Sequence, residues 1–338
     1  MKRDLKSVAD KAQVVFEAAL AAEEAGHSAK ALRLYEQASV IDPDASHVRV
    51  RWASLLNDKG RWKDAIRVTR QLIKKRPRLS LAHRLIGRSY DELGRLAMAE
   101  RAYKQSLAIK QCPITWVLLA SVLGRRKRNE EAEECLRQAL KVDPDYEEAH
   151  YNLGYIYRLK GKLKLAEKHL RRAIEIDRQY SLAYAELGQL LAGSGRNDRT
   201  RESVTLLRKA VGDDPTDGWS RAYLANGLWT LGRLKAAEEQ YCKLMELWPD
   251  RSVSYWCYGD FLAYKGKDIS LAESYLRKAL ELDPRDEVNN YHLGKHLLFW
   301  GRPTEAKQYL RKAARLGHSK AQQQLRDLEG RRGGGRQT

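Results

Sequence analysis

A pattern of small residues returns at a fixed period along the 338-residue chain, and this periodicity limits the fold more than any other feature. Pro43, Pro77, Pro144, Pro215, Pro249 and Pro284 close segments that recur at about 34 residues or multiples of it. Setting each proline near the end of a repeat divides residues 12–318 into nine: 12–45, 46–79, 80–112, 113–146, 147–180, 181–217, 218–251, 252–286 and 287–318. The eighth place is then Ala19, Ala53, Gly87, Ala120, Gly154, Gly188, Ala225, Gly259 and Gly294. With longer loops in the sixth and eighth repeats, the twentieth place is Ala31, Ala65, Ala99, Ala132, Ala166, Ser203, Ala237, Ala272 and Ala306. The twenty-seventh is alanine at Ala38, Ala139, Ala173, Ala210, Ala279 and Ala313. Two helices whose backbones cross closely need small residues at matched places, with Leu, Tyr and Trp filling the space beside them. The expected fold is therefore all-α, a row of helix pairs.

Between the two helices of most repeats stands a glycine, such as Gly26, Gly60, Gly94, Gly161, Gly232, Gly266 or Gly301, suited to the left-handed conformation that ends a helix. The Asp-Pro pairs punctuate the second helix and open the next repeat. The run from His150 to Tyr157, followed by Gly161, Ala166 and Ala173, resembles the tetratricopeptide repeat, and the resemblance covers most of the chain. It implies a right-handed superhelical α-solenoid over residues 12–329, with an N-terminal extension at 1–11 and an Arg/Gly-rich tail at 330–338. Leu72 and Leu244 depart from the pattern by placing a large residue where a small one is usual, and local repacking is expected there. The stretch from Ala313 to Leu325 is similar to a Sel1-like terminus and suits a capping helix, its Gln322, Gln323 and Gln324 facing water.

A solenoid of this extent leaves no room for a catalytic domain within the sequence, and no phosphate-loop, nucleophile-elbow, dinucleotide or zinc-protease motif occurs. No enzyme activity, cofactor or metal is expected. Cys112, Cys135, Cys242 and Cys257 are scattered without a C-x-x-C pair, which argues against a disulfide framework or zinc knuckle. There is no apolar run of membrane-spanning length and no secretory h-region, so the expectation is a cytoplasmic protein with no membrane partner. His292 and His296, four apart on one helix, are read as packing and surface residues because no neighbouring Cys or carboxylate completes a ligand set. The basic, glycine-rich segment 193–200 is read as a loop, and the tail at 330–338 as a soluble end.

Sixty-three Lys and Arg against 44 Asp and Glu leave a net charge of +19, concentrated in two places. Residues 46–112 carry 17 basic and 5 acidic side chains, and residues 301–338 carry 10 and 3, while the remainder is balanced. Such asymmetry suggests steering toward something anionic. In the resembled family the first helices line the concave face. Helical periodicity then places Arg84, Arg88, Tyr151, Tyr155, Arg158, Trp219, Asn226, Trp229, Trp256, Asp260, Tyr291 and Lys295 in the groove. Asn152 stands nearly alone where an asparagine ladder would run, and no three successive repeats show the two-carboxylate clamp. Trp52, Trp62 and Trp116 fall at packing places.

The expected function is a non-enzymatic protein-interaction scaffold that holds an extended, partly acidic peptide or protein segment in its groove. Two alternatives stand beside it: RNA binding through the basic second and third repeats and the basic C-terminus, or recruitment of a separate enzyme.

Overall fold

A computed structural model describes the backbone over residues 2–193, 196–266 and 268–333, with side chains between Val8 and Leu328. Every regular element among the described residues is α-helical. The helices are α1 (Lys2–Glu24), α2 (Ser28–Ile41), α3 (Ser46–Asp58), α4 (Trp62–Lys75), α5 (Ser80–Glu92), α6 (Leu96–Ile109), α7 (Pro113–Arg125), α8 (Asn129–Val142), α9 (Glu147–Leu159) and α10 (Leu163–Ile176). They continue with α11 (Ser181–Ala192), α12 (Asn197–Asp213), α13 (Gly218–Thr230), α14 (Leu234–Leu247), α15 (Ser252–Lys265), α16 (Ile269–Leu282), α17 (Glu287–Phe299), α18 (Pro303–Arg315) and α19 (Ser319–Gly333). Helices α1 to α18 fall into consecutive packed pairs, and α19 lies on α18. The chain divides into two bodies, one ending at Asp177 and one beginning at Arg178.

Close approach within each pair explains the small places. A Cβ on Gly87 would sit 2.6 Å from the Tyr103 ring. One on Gly154 would sit 2.6 Å from Leu170 Cγ and 3.3 Å from the Ala166 carbonyl oxygen. The large partner on the second helix thus fills the volume the first helix leaves empty, and Tyr103 and Leu170 are fully buried. Leu72 and Leu244 are buried without interrupting their helices. Of the three tryptophans expected to pack, Trp52 is buried, whereas Trp62 and Trp116 are half-buried because one flank of each looks outward; the Trp116 indole N–H donates to Gln111 Oε1 at 2.8 Å.

The turns follow from backbone chemistry. All seven inter-helix glycines named above have φ between +64° and +77°, the region in which a Cβ is penalised. In the α7–α8 turn Lys127 occupies that conformation, with φ +62°. At the other end of a repeat, the aspartate before the proline accepts the backbone N–H two residues on, as in Asp42 to Asp44 at 2.9 Å and Asp214 to Thr216 at 2.9 Å. The proline carbonyl then accepts from a polar side chain six residues later. His83, His150, Arg221, Tyr255 and Asn290 do this at 2.8 to 3.2 Å, and Arg49 reaches Pro43 in the same way.

Within each body the first helices also touch one another, α3 with α5, α5 with α7 and α7 with α9, then α11 with α13, α13 with α15 and α15 with α17. Second helices make no comparable contact among the described residues. The tighter layer is the inner one, so the odd-numbered helices line it. No described helix is long and apolar enough to cross a membrane.

Candidate functional site

In the first body a cavity of about 440 Å³ opens between α7, α8 and α9. Ala120, Gly124 and Ala132 leave the space, because two alanines and a glycine face it where longer side chains would close it. Asn152, Tyr155 and Leu159 form one wall, and Arg125, Asn129 and Lys160 supply polar edges. Tyr155 and Leu159 are exposed at 41% and 62%. The Tyr155 ring lies 5.4 Å from the Arg158 guanidinium, a cation–π contact that holds it upright. Asn152 donates to the Glu148 carbonyl at 2.7 Å, which fixes its amide at the cavity. Tyr151, on the same helix, is half-buried and has partners of its own. A mostly apolar concavity with a few polar groups on rigid helices suits a side chain from an extended ligand.

Arg84 and Arg88 lie one turn apart on α5, both half-buried. Arg84 donates to Cys112 Sγ at 3.4 Å, and Arg88 pairs with Asp58 at 2.9 Å, so part of the charge assigned to this face is neutralised. The less compensated basic surface is on the second helix α4. Lys63, Arg67, Arg70 and Lys74 follow a 4-3-4 spacing that puts all four on its exposed face. Arg67 makes a 3.4 Å pair with Asp64, and Arg70 donates to the Tyr90 hydroxyl at 3.0 Å.

Buried charge links successive pairs. Glu100 on α6 accepts from Lys104, Arg126 and Arg128, and Glu133 on α8 accepts from Arg137 and from Lys160, which follows α9. Burial works to raise the Glu100 pKa, but hydrogen bonds from Lys104 and Arg128 outweigh it and hold the carboxyl below its ordinary range. Glu238 with Lys265 and Glu273 with Arg302 repeat the arrangement in the second body. Much of the charge in these segments therefore belongs to the joints.

In the second body the predicted residues separate into exposed and engaged groups. Trp219 is 47% exposed and meets Trp248 edge-on at 5.7 Å. Trp229 is half-buried against Phe261 and Tyr264. Asn226 accepts from the buried Tyr241 hydroxyl. Trp256 stacks on His292 at 4.6 Å, and Tyr291 stacks on His318 at 4.1 Å. Asp260 is buried, and one carboxylate oxygen accepts from His292 Nδ1 at 2.9 Å, Lys295 Nζ at 3.0 Å and His296 Nε2 at 2.5 Å. Burial favours its neutral form, but the two histidine hydrogen bonds prevail and keep the carboxyl well below the usual range. The reading of His292 and His296 as a pair without a carboxylate is thus corrected: Asp260 reaches both from the preceding repeat. Of the segment 193–200 read as a loop, residues 194 and 195 lie outside the described residues, and the reading is corrected at its end, where residues 197–200 form the first turn of α12; the side chains of the tail at 330–338 also lie outside the described residues.

Comparison with known proteins places these features in a family. Residues 2–198 match the cilia and flagella-associated protein 70 C-terminal domain, and residues 259–286 and 289–316 each match a tetratricopeptide repeat. Human protein O-mannosyl-transferase TMTC1 is 26% identical over 166 residues, covering 48% of this chain and 19% of that protein. The chain thus spans about a fifth of that relative's length. Among solved structures, one chain of the APC/C hetero-tetramer Cut9–Hcn1 superposes with a TM-score of 0.64 at 16% identity, covering 80% of this chain and 52% of that one. The human IFIT1 dimer with PPP-AAAA gives a TM-score of 0.54 at 17% identity, covering 93% and 86%. At these identities the structural matches show a shared fold alone.

Proposed function

We propose, because the chain belongs to the tetratricopeptide-repeat family and to the group of the cilia and flagella-associated protein 70 C-terminal domain, that it acts as a non-enzymatic scaffold for an extended protein segment. The observation that carries this reading is the cavity between α7, α8 and α9, which Asn152 and Tyr155 help to line. An apolar or aromatic side chain of the ligand fills it, and acidic residues of the ligand meet Arg84 and Arg158. In the second body Trp219, at the start of α13, and Trp229, at its end, offer two separate aromatic side chains of the kind that anchor peptides. Residues 12–329 serve as the repeat array that holds these groups in place, with 1–11 and 330–338 flanking it.

A second reading has one observation in its favour, the basic face of α4, whose spacing and exposure suit an RNA phosphate backbone. Binding of peptides and of single-stranded RNA to the purified chain separates the two. A peptide whose affinity falls at least about tenfold in Asn152→Ala/Tyr155→Ala supports the scaffold. Affinity for RNA alone, lost when α4 is neutralised, supports the alternative.

A further inference from the structure

We propose that Asp260, His292 and His296 form a binding site for a divalent transition metal of the zinc class. The site lies wholly within the second body and is independent of the peptide-binding reading. Asp260 stands on α15, and His292 and His296 stand one turn apart on the adjacent α17. One carboxylate oxygen, His292 Nδ1 and His296 Nε2 all lie within 4.8 Å of one another. Two imidazoles and a carboxylate make a borderline donor set of the kind that binds zinc, cobalt and related ions, with a fourth position for water.

The three side chains already converge on one point. Both imidazoles aim a nitrogen at the same carboxylate oxygen, at 2.9 and 2.5 Å. A cation bound by all three atoms would replace those two hydrogen bonds, and each ring proton would move to the opposite nitrogen. The separations must then widen slightly to admit metal–ligand bonds of about 2.0–2.2 Å. The rings are already held in place. Trp256 stacks on His292 at 4.6 Å, Tyr291 meets its edge at 5.4 Å, and Trp300 stacks on His296 at 5.6 Å. Side-chain exposures of 12%, 15% and 8% for Asp260, His292 and His296 keep bulk water from competing strongly.

Lys295 opposes the metal. Its ammonium lies 3.0 Å from the same oxygen, but the side chain is 39% exposed and sits on a flexible stem that can swing outward. Lys295 therefore sets the affinity: its charge lies at the oxygen an ion would use and must withdraw for the ion to bind.

The test uses the full chain after treatment with a chelator, titrated with zinc by calorimetry and with cobalt(II) by absorption. Tryptophan fluorescence is followed because Trp256 and Trp300 touch the two ligands. One equivalent is expected, with affinity falling about 100-fold or more in His292→Gln and in His296→Gln. Lys295→Met should tighten binding by about tenfold. His169→Gln should leave it unchanged, because the His150–His169 pair belongs to the other body. Circular dichroism without metal checks that each variant folds. If a histidine variant fails to fold, Lys295→Met decides the matter, since it alters only a partly exposed amine. No binding tighter than about 1 mM, or binding indifferent to the histidine and Lys295 substitutions, overturns the proposal.

Discussion

At the scale of single residues, strain and burial make separate demands. Lys127 holds φ at +62° where the matching turn inside seven other repeats has glycine. Lys127→Gly should stabilise the first body by up to about 1 kcal/mol, the relief of a left-handed side chain less the extra chain entropy of glycine. Denaturant unfolding would show the midpoint rising with an unchanged slope. His169 is a second case. Burial and then repulsion from His150, whose ring nitrogen is 3.0 Å away, lower its pKa from 6.5 to about 4. The unfolded chain therefore binds this proton more readily than the folded one, and stability falls as pH drops from about 6.5 toward 4. His169→Gln should flatten that part of the pH profile relative to the parent, and an identical slope in both proteins would contradict the assignment.

Elements are held by fitted volumes and by polar ties across the turns. Leucine at Gly154 would collide with Leu170 and the Ala166 carbonyl, so Gly154→Leu should cost about 1–3 kcal/mol through overpacking, read from chemical denaturation. The proline-carbonyl ties should differ with burial. Asn290 is fully buried and donates to the carbonyls of Pro284 and Asp286; Asn290→Leu takes the side-chain donor from the Pro284 carbonyl, while the Asp286 carbonyl keeps the residue's backbone N–H, and should cost about 1–3 kcal/mol. Tyr255→Phe removes a more exposed bond to Pro249 and should cost less than about 1 kcal/mol. The helix pairs were legible in the sequence because Gly154 and Ala166 obey a size rule that repeats in one-dimensional register. The ties were not, because Arg49, His83, Tyr255 and Asn290 share a place and a hydrogen-bonding role but no chemical type. Asp260 escaped notice for a related reason. Its partners lie 32 and 36 residues away, about one repeat along the chain, so neighbours in sequence did not reveal it. The cavity at Tyr155 depends on volumes contributed by three helices, which no single segment records.

Across the whole molecule, the +19 net charge is a less direct guide to function than its pairing. Arg88, Arg126, Arg128 and Arg302 neutralise carboxylates at the joints, whereas α4 carries an exposed run of four basic residues. The central claim is that the inner layer around Asn152 and Tyr155 recognises an extended segment, with the basic surface assisting encounter. It is tested most directly by selecting peptides from a random display library on the purified chain. The enriched peptides, together with single-stranded RNA, are then measured across a salt series by fluorescence anisotropy. The proteins compared are the parent, Asn152→Ala/Tyr155→Ala, and Lys63→Glu/Arg67→Glu/Arg70→Glu/Lys74→Glu. The account predicts enriched peptides with an apolar anchor beside acidic residues. Their affinity should fall at least about tenfold in the cavity variant and persist in part at high salt, because apolar burial is not screened. Failure to enrich any peptide, together with RNA binding that falls steeply with salt and disappears only in the α4 variant, would contradict it.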